Sequence, residues 1–210
     1  MGMPQAARRY TVEEVLAFPN DGNRYELVHG ELLVTPAPRS RHQLVAGELY
    51  YRLRRYLDEH GRDVRVVFSP ADIRWPDEVL VQPDVFVVPV QELVAEDWSS
   101  VRTLLLAVEI VSPSSARYDR IVKRRLYQEH GVSTYWIVDP DAQVVEVWCP
   151  DDERPEIVTD VLRWRVAPGT EELEIELAEA FSVLGGEGLP PPHPSRGEGR
   201  GERGEGGGSS

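Results

Sequence analysis

The residues 104–111 run Leu-Leu-Leu-Ala-Val-Glu-Ile-Val, apolar throughout except at Glu109. A strand that is apolar at successive positions, not only at alternate ones, must be covered on both faces. That requirement implies a layered fold with a central sheet between two covering layers. The chain can build one: 210 residues with 41% hydrophobic content suffice for a single core and leave little room for a second.

The flanking segments supply the layers. Thr11 and Glu14 form a capping-box pattern ahead of Val12, Val15 and Leu16, which predicts a short helix ending before Pro19. Residues 24–28 and 31–35, separated by His29-Gly30, read as a tight β-hairpin. From Ser40, apolar residues recur at Val45, Leu49, Leu53 and Leu57 until Gly61, the pattern of an amphipathic helix. Residues 64–69, 73–75 and 85–90 are rich in β-branched side chains and predict short strands. Ile121, Val122, Leu126 and Tyr127 mark a helix from an N-cap at Ser115 to Gly131. Residues 134–138 and 144–148 form another strand pair, with further strands at 161–166 and 173–177. This order predicts an α/β domain over residues 1–184, with a mixed central sheet flanked by helices and additional β-hairpins. Residues 185–210 hold ten glycines and four prolines and almost no apolar side chains, which predicts a disordered tail.

The net charge of −13 argues against a protein that coats nucleic acid through bulk electrostatics. The charge is uneven, however. Residues 117–125 carry five basic side chains against one acidic, and residues 39–65 carry seven arginines against four acids, which leaves room for a local basic surface. Cys149 is the single cysteine, so neither an internal disulfide nor a cysteine-based zinc site can form, as expected in a reducing compartment. The apolar run 104–108 is too short to span a bilayer, and the N-terminus lacks a basic-then-apolar signal. The expectation is a cytoplasmic protein with no membrane association.

Three residues stand out chemically. Glu109 places a carboxylate in the middle of an apolar strand, where it costs several kcal/mol unless a partner or a metal ion compensates it. Asp84 follows Pro83 at the threshold of Val85-Phe86-Val87-Val88. On neighbouring strands the two acids could meet and, with a backbone carbonyl and water, bind magnesium or manganese; each could equally be a strand-end acid paired with an arginine. Of the 23 basic residues, Lys123 is the one lysine among 22 arginines. Lysine is a compact point charge that arginine does not replace where close chemistry is done. As a helix residue it could also simply pair with Asp119 one turn earlier.

These residues sit within a larger pattern. Arg-Tyr-Glu-Leu-Val-His-Gly-Glu-Leu at 24–32, Gln-Pro-Asp-Val at 82–85, Glu-Ile-Val-Ser-Pro-Ser-Ser at 109–115, Tyr-Asp-Arg-Ile-Val-Lys at 118–123 and Gly-Val-Ser-Thr-Tyr-Trp-Ile-Val-Asp-Pro at 131–140 occur in order. Together they resemble the Uma-two family of restriction-endonuclease-like proteins, of the PD-(D/E)xK nuclease superfamily, over roughly residues 10–182. The resemblance implies a mixed sheet flanked by helices and magnesium-dependent phosphodiester cleavage. It makes Asp84 and Glu109 the metal ligands. Where the superfamily pattern expects lysine, two residues after the second acid, this chain has Val111; in the family resembled the lysine moves to the following helix, and Lys123 is at that place.

Glu26 matches a further family acid and is a candidate third ligand for Mg2+ or Mn2+, or an exposed hairpin acid. His42, Ser114 and Arg120 are candidates for contact with nucleic acid, although a cap or a packing contact also accounts for His42, and capping for Ser114. The expected partner is nucleic acid, DNA foremost, with a homodimer possible for two-site cleavage. The alternative is a catalytically silent nuclease-fold module that binds nucleic acid, or an assembly module built on exposed Tyr135 and Trp136.

Overall fold

The computed structural model describes residues 8–94 and 97–185. The chain opens with helix α1 (Val12–Leu16), whose capping box between Thr11 and Glu14 is formed as the sequence predicts. Strands β1 (Asn23–Val28) and β2 (Glu31–Pro36) follow, with Val28 opposite Glu31. His29 and Gly30 both adopt positive φ, 48° and 82°, the backbone twist that a two-residue hairpin requires. Helix α2 (Ser40–His60) then buries Val45, Leu49, Leu53 and Leu57 along one stripe.

Strands β3 (Val64–Phe68), β4 (Ile73–Trp75), β5 (Val79–Val81), β6 (Val85–Pro89) and β7 (Leu106–Ile110) come next. A helical run over 116–129 comprises α3 (Ala116–Tyr118), a π turn (Asp119–Lys123) and α4 (Arg124–Glu129). The chain then forms β8 (Tyr135–Asp139), β9 (Val144–Trp148), β10 (Glu156–Val158), the hairpin β11 (Val161–Trp164) and β12 (Leu173–Glu176), and α5 (Leu177–Ser182).

The central sheet has the order β10-β9-β8-β7-β6-β3, with β7 and β8 parallel and the other pairs antiparallel. A parallel pair needs a crossover, and the helical run 116–129 supplies it. A second sheet has the order β2-β1-β5-β4. All five residues of β7 are buried, which bears out the two-faced cover expected of it. Leu106, Val108 and Ile110 point to a core shared with α2, α5 and the β11–β12 hairpin. Ala107 points the other way, to a core shared with β4, β5 and α4. By alternation Glu109 belongs to that second face, directly under the crossover helix.

Several elements differ from expectation. β5, β10 and α5 were not foreseen, and the strand expected over 173–177 stops at Glu176 and turns into α5. Ser115 stands at the start of the crossover helix but makes no capping bond; its hydroxyl instead accepts from the Ser112 amide at 3.1 Å. The π turn has no signature in composition. Among the described residues no helix is long and apolar enough to cross a membrane. Beyond Gly185, the segment expected to be a disordered tail lies outside the described residues.

Candidate active site

The open end of the β6–β7 ladder positions Asp84. Its amide donates to the Val108 carbonyl at 3.0 Å, continuing the ladder one residue before β6 begins. At the next position up β7, the Ile110 amide donates to the Asp84 side chain, Oδ2, at 2.8 Å. The carboxylate therefore takes the place of a missing backbone acceptor, which ties Asp84 to the residue after Glu109. Its remaining partners are Arg24 from β1, 2.8 Å from Oδ1, and His42 from the first turn of α2, 2.8 Å from Oδ2. Burial opposes ionisation of Asp84, but the His42 hydrogen bond and the Arg24 charge prevail and hold the carboxyl at about 2.

Glu109 receives two donors at the same oxygen, Oε1: the Lys123 ammonium at 3.0 Å and the Tyr127 hydroxyl at 2.8 Å. Glu109 also lines the cleft. Lys123 is 2% exposed and also lies 2.8 Å from Glu26 and 3.6 Å from Asp119. The positions 119, 123 and 127 recur at four-residue spacing along the crossover run, so that Lys123 and Tyr127 both reach Glu109 while Asp119 stands beside Lys123. The π turn ends on Lys123, a placement common at functional sites. Glu26 is fixed from its other side, where Oε1 accepts the Gln82 amide at 2.8 Å.

The charges do not balance. Asp84, Glu109, Glu26 and Asp119 are buried carboxylates, and the permanent cations among them are Arg24 and Lys123. Burial pushes the Glu109 carboxyl well above its ordinary range; Lys123 pulls it back, but Asp84, Asp119 and Glu26 add to the rise. Asp119 is raised by burial too, against the pull of Lys123. Burial works against the Lys123 ammonium, yet Glu109, Glu26 and Asp119 together hold its pKa well above that of an ordinary lysine. The cluster carries a surplus of negative charge that a proton or an added cation must offset.

The donor chemistry fits one hard divalent cation. Among the described residues no group of three or more His, Cys, Asp or Glu is arranged to hold a metal ion. Two carboxylates of the cleft, Asp84 and Glu109, would be the side chains of such a site, with backbone and water completing it, as magnesium commonly accepts. Ala107 and Val111 donate towards β8, whereas the Val108 carbonyl and Ile110 amide face β6. The same alternation sends the Ile110 carbonyl to the β6 side, past the point where β6 starts. Ile110 lines the cleft together with both acids.

That cleft has a volume of about 400 Å3 and brings together most of the residues singled out from the sequence: Asp84, Glu109, Lys123, Glu26, His42 and Ser114. Val111, two residues after Glu109, lines it as well. Glu26 is buried against Lys123, not an exposed hairpin acid. His42 is neither a cap nor a packing residue alone, since its ring holds Asp84. Ser114 stands at the rim, its hydroxyl 2.9 Å from that of Ser112. Arg120 does not line the cleft; its guanidinium is held by Glu146 and by Asp139, the latter at 2.9 Å. Tyr135 and Trp136, offered as an exposed assembly surface, are 1% and 0% exposed and lie inside the central sheet. The residues that sequence reasoning passed over are Arg24, which needs a contact across 60 positions, and the hydroxyl of Tyr127, read as core packing alone.

Over residues 12–180 the chain matches the family described as "Uma2: Putative restriction endonuclease". Among solved structures, that of "a putative nuclease belonging to DUF820 from Anabaena variabilis ATCC 29413" superposes with a TM-score of 0.69 and 21% sequence identity. The match covers 83% of this chain and 99% of that one, and at such identity it speaks for the fold alone. No curated protein matches the chain.

Proposed function

The chain belongs to the Uma2 family of restriction-endonuclease-like proteins, and from that premise we propose that it is a metal-dependent endonuclease hydrolysing phosphodiester bonds in nucleic acid, DNA foremost. The observation that carries this reading is the buried Lys123 ammonium, 3.0 Å from Glu109 on a strand whose next amide holds Asp84. Asp84, Glu109 and the Ile110 carbonyl would hold Mg2+ or Mn2+, with Glu26 linked to the site through Lys123. Such an ion would supply an activated water and offset charge on the phosphate.

The protein's own groups do the rest. Lys123, itself almost wholly out of water, would place a fixed positive charge beside the position where negative charge develops on the phosphate. Tyr127 keeps its proton, because burial and Glu109 push its pKa well up, so it acts as a fixed donor that orients Glu109. Arg24 and His42 orient Asp84 from the opposite side. Arg39, Arg41 and Ser114 line the cleft where the flanking phosphates of a strand would pass.

A second reading has one observation in its favour: Asp84 already holds a guanidinium and an imidazole, as it would in a silent module that binds nucleic acid without a metal. Manganese binding separates the two. Titration followed by electron paramagnetic resonance is expected to show one saturable site in the parent, lost in Asp84→Asn and in Glu109→Gln and retained in Tyr127→Phe. Undiminished binding by the Asp84 variant would overturn the assignment.

A further inference from the structure

A second cavity, of about 260 Å3, shares Arg24, His42 and Asp84 with the cleft and continues along α2 towards the end of β3. Its other walls are of a different chemistry. Tyr50 and Phe68 meet edge-on, with ring centroids 5.0 Å apart and planes at 75°, and so form an aromatic corner. Phe68 is 56% exposed at the end of a strand that closes one edge of the central sheet. Ala46 and Gly47 line it from α2, and a Cβ at Gly47 would meet no atom within 4 Å. Gln43 and Ser69 stand at the rim, and Ser69 is tied to the site by Arg24, whose guanidinium donates to its hydroxyl at 3.3 Å and to Asp84 at 2.8 Å.

We propose that this cavity receives one unstacked nucleobase of the strand whose phosphate lies in the cleft, so that the substrate is single-stranded or locally opened at that nucleotide. The inference rests on the nuclease reading of the cleft. The volume falls below the range of about 300–1,000 Å3 usual for drug-sized ligands, which suits one planar heterocycle. An aromatic corner offers a stacking face to any base, whereas a base inside a duplex has both faces occupied by its neighbours. The amide of Gln43 and the hydroxyl of Ser69 offer hydrogen bonds to the edge of that base. Because Arg24, His42 and Asp84 form a common wall, a strand lying along the first turns of α2 presents a phosphate to one side and the adjoining base to the other.

The test uses the full chain in chelator with single-stranded oligonucleotides carrying the fluorescent base aminopurine at successive positions. Phe68→Ala removes one wall of the corner. Gly47→Leu fills the cavity from a helical position that has open space in front of it, and its urea midpoint checks that the fold is kept. The expected result is an emission change confined to one position, lost in both variants, together with roughly ten-fold weaker binding of the intact strand. A strand abasic at that position should bind parent and variants alike. Emission changes spread evenly along the strand, or variants that bind as the parent does, would overturn the proposal. A parallel cleavage assay in manganese separates the two readings: position-specific binding without cleavage keeps the base pocket and sinks the nuclease, while cleavage unaffected by either variant keeps the nuclease and sinks the pocket.

Discussion

Lys123 sits among Glu26, Glu109 and Asp119 with almost no access to water. Removing one member of a buried ion cluster costs about 3–5 kcal/mol, because the others remain desolvated without compensation. Lys123→Met is therefore expected to lower the stability of the metal-free protein by that amount in urea denaturation. Adding Glu26→Gln should recover part of the loss, since contacting residues do not act additively; full additivity would mean that the two do not share a charge balance. The acids give opposite pH signatures. Asp84, held at about 2 against an ordinary 3.8, contributes about 2 kcal/mol that is complete above pH 4 and is lost as pH falls towards 2. Glu109 is raised, so its contribution is complete below 4.5 and is lost as pH rises through its folded pKa. In chelator, the parent's melting temperature should fall from pH 5 upward, and Glu109→Gln, which cannot ionise, should flatten that limb. An unchanged slope in the variant would show that Glu109 does not hold the proton. The three residues most central to this account were legible as anomalies: a carboxylate inside an apolar run, another at a strand threshold, and one lysine among arginines. Arg24 and His42 were not legible as partners of Asp84, because the contacts span 60 and 42 positions and only the assembled fold brings them together.

At the scale of elements, α2 does two jobs. Its buried stripe covers the central sheet, and its first turn carries His42 to Asp84. The helix stops at Gly61, where an added Cβ would lie 2.6 Å from Leu57 Cδ2 and 2.8 Å from Val64 Cγ2. Gly61→Ala should destabilise by about 1–3 kcal/mol through overpacking, read as a lower urea midpoint with an unchanged slope; a neutral effect would show that the α2–β3 connection yields more easily than its packing implies. The hairpin of β1 and β2, helix α2 and strand β7 were readable because each carries a full period of apolar residues or a turn whose backbone demands are local. β5 was not readable: with three residues it has too short a pattern, and it is held by pairing with β4 and, at Leu80, with β1. The π turn was equally silent, since one extra residue in a helical turn leaves the spacing of Leu126 and Tyr127 looking α-helical.

The whole molecule carries a charge of −13, yet arginines line the mouth of the cleft that its acids floor. That distribution suits a protein that engages a short stretch of nucleic acid at one place rather than coating it. It also explains why family membership was legible while the mode of engagement was not: the motif residues converge on one cleft, but bulk charge reports nothing about a local surface. The central claim is that this cleft hydrolyses phosphodiesters with a divalent ion and Lys123. Its most direct test is cleavage of single-stranded, duplex and branched DNA and of RNA, in magnesium or manganese and in chelator, comparing the parent with Lys123→Arg. Metal-dependent cleavage by the parent that the arginine variant loses is expected, because the bulkier guanidinium does not fit the space that the ammonium fills between Glu26 and Glu109. No cleavage by the parent on any substrate, or equal cleavage by both proteins, would contradict it.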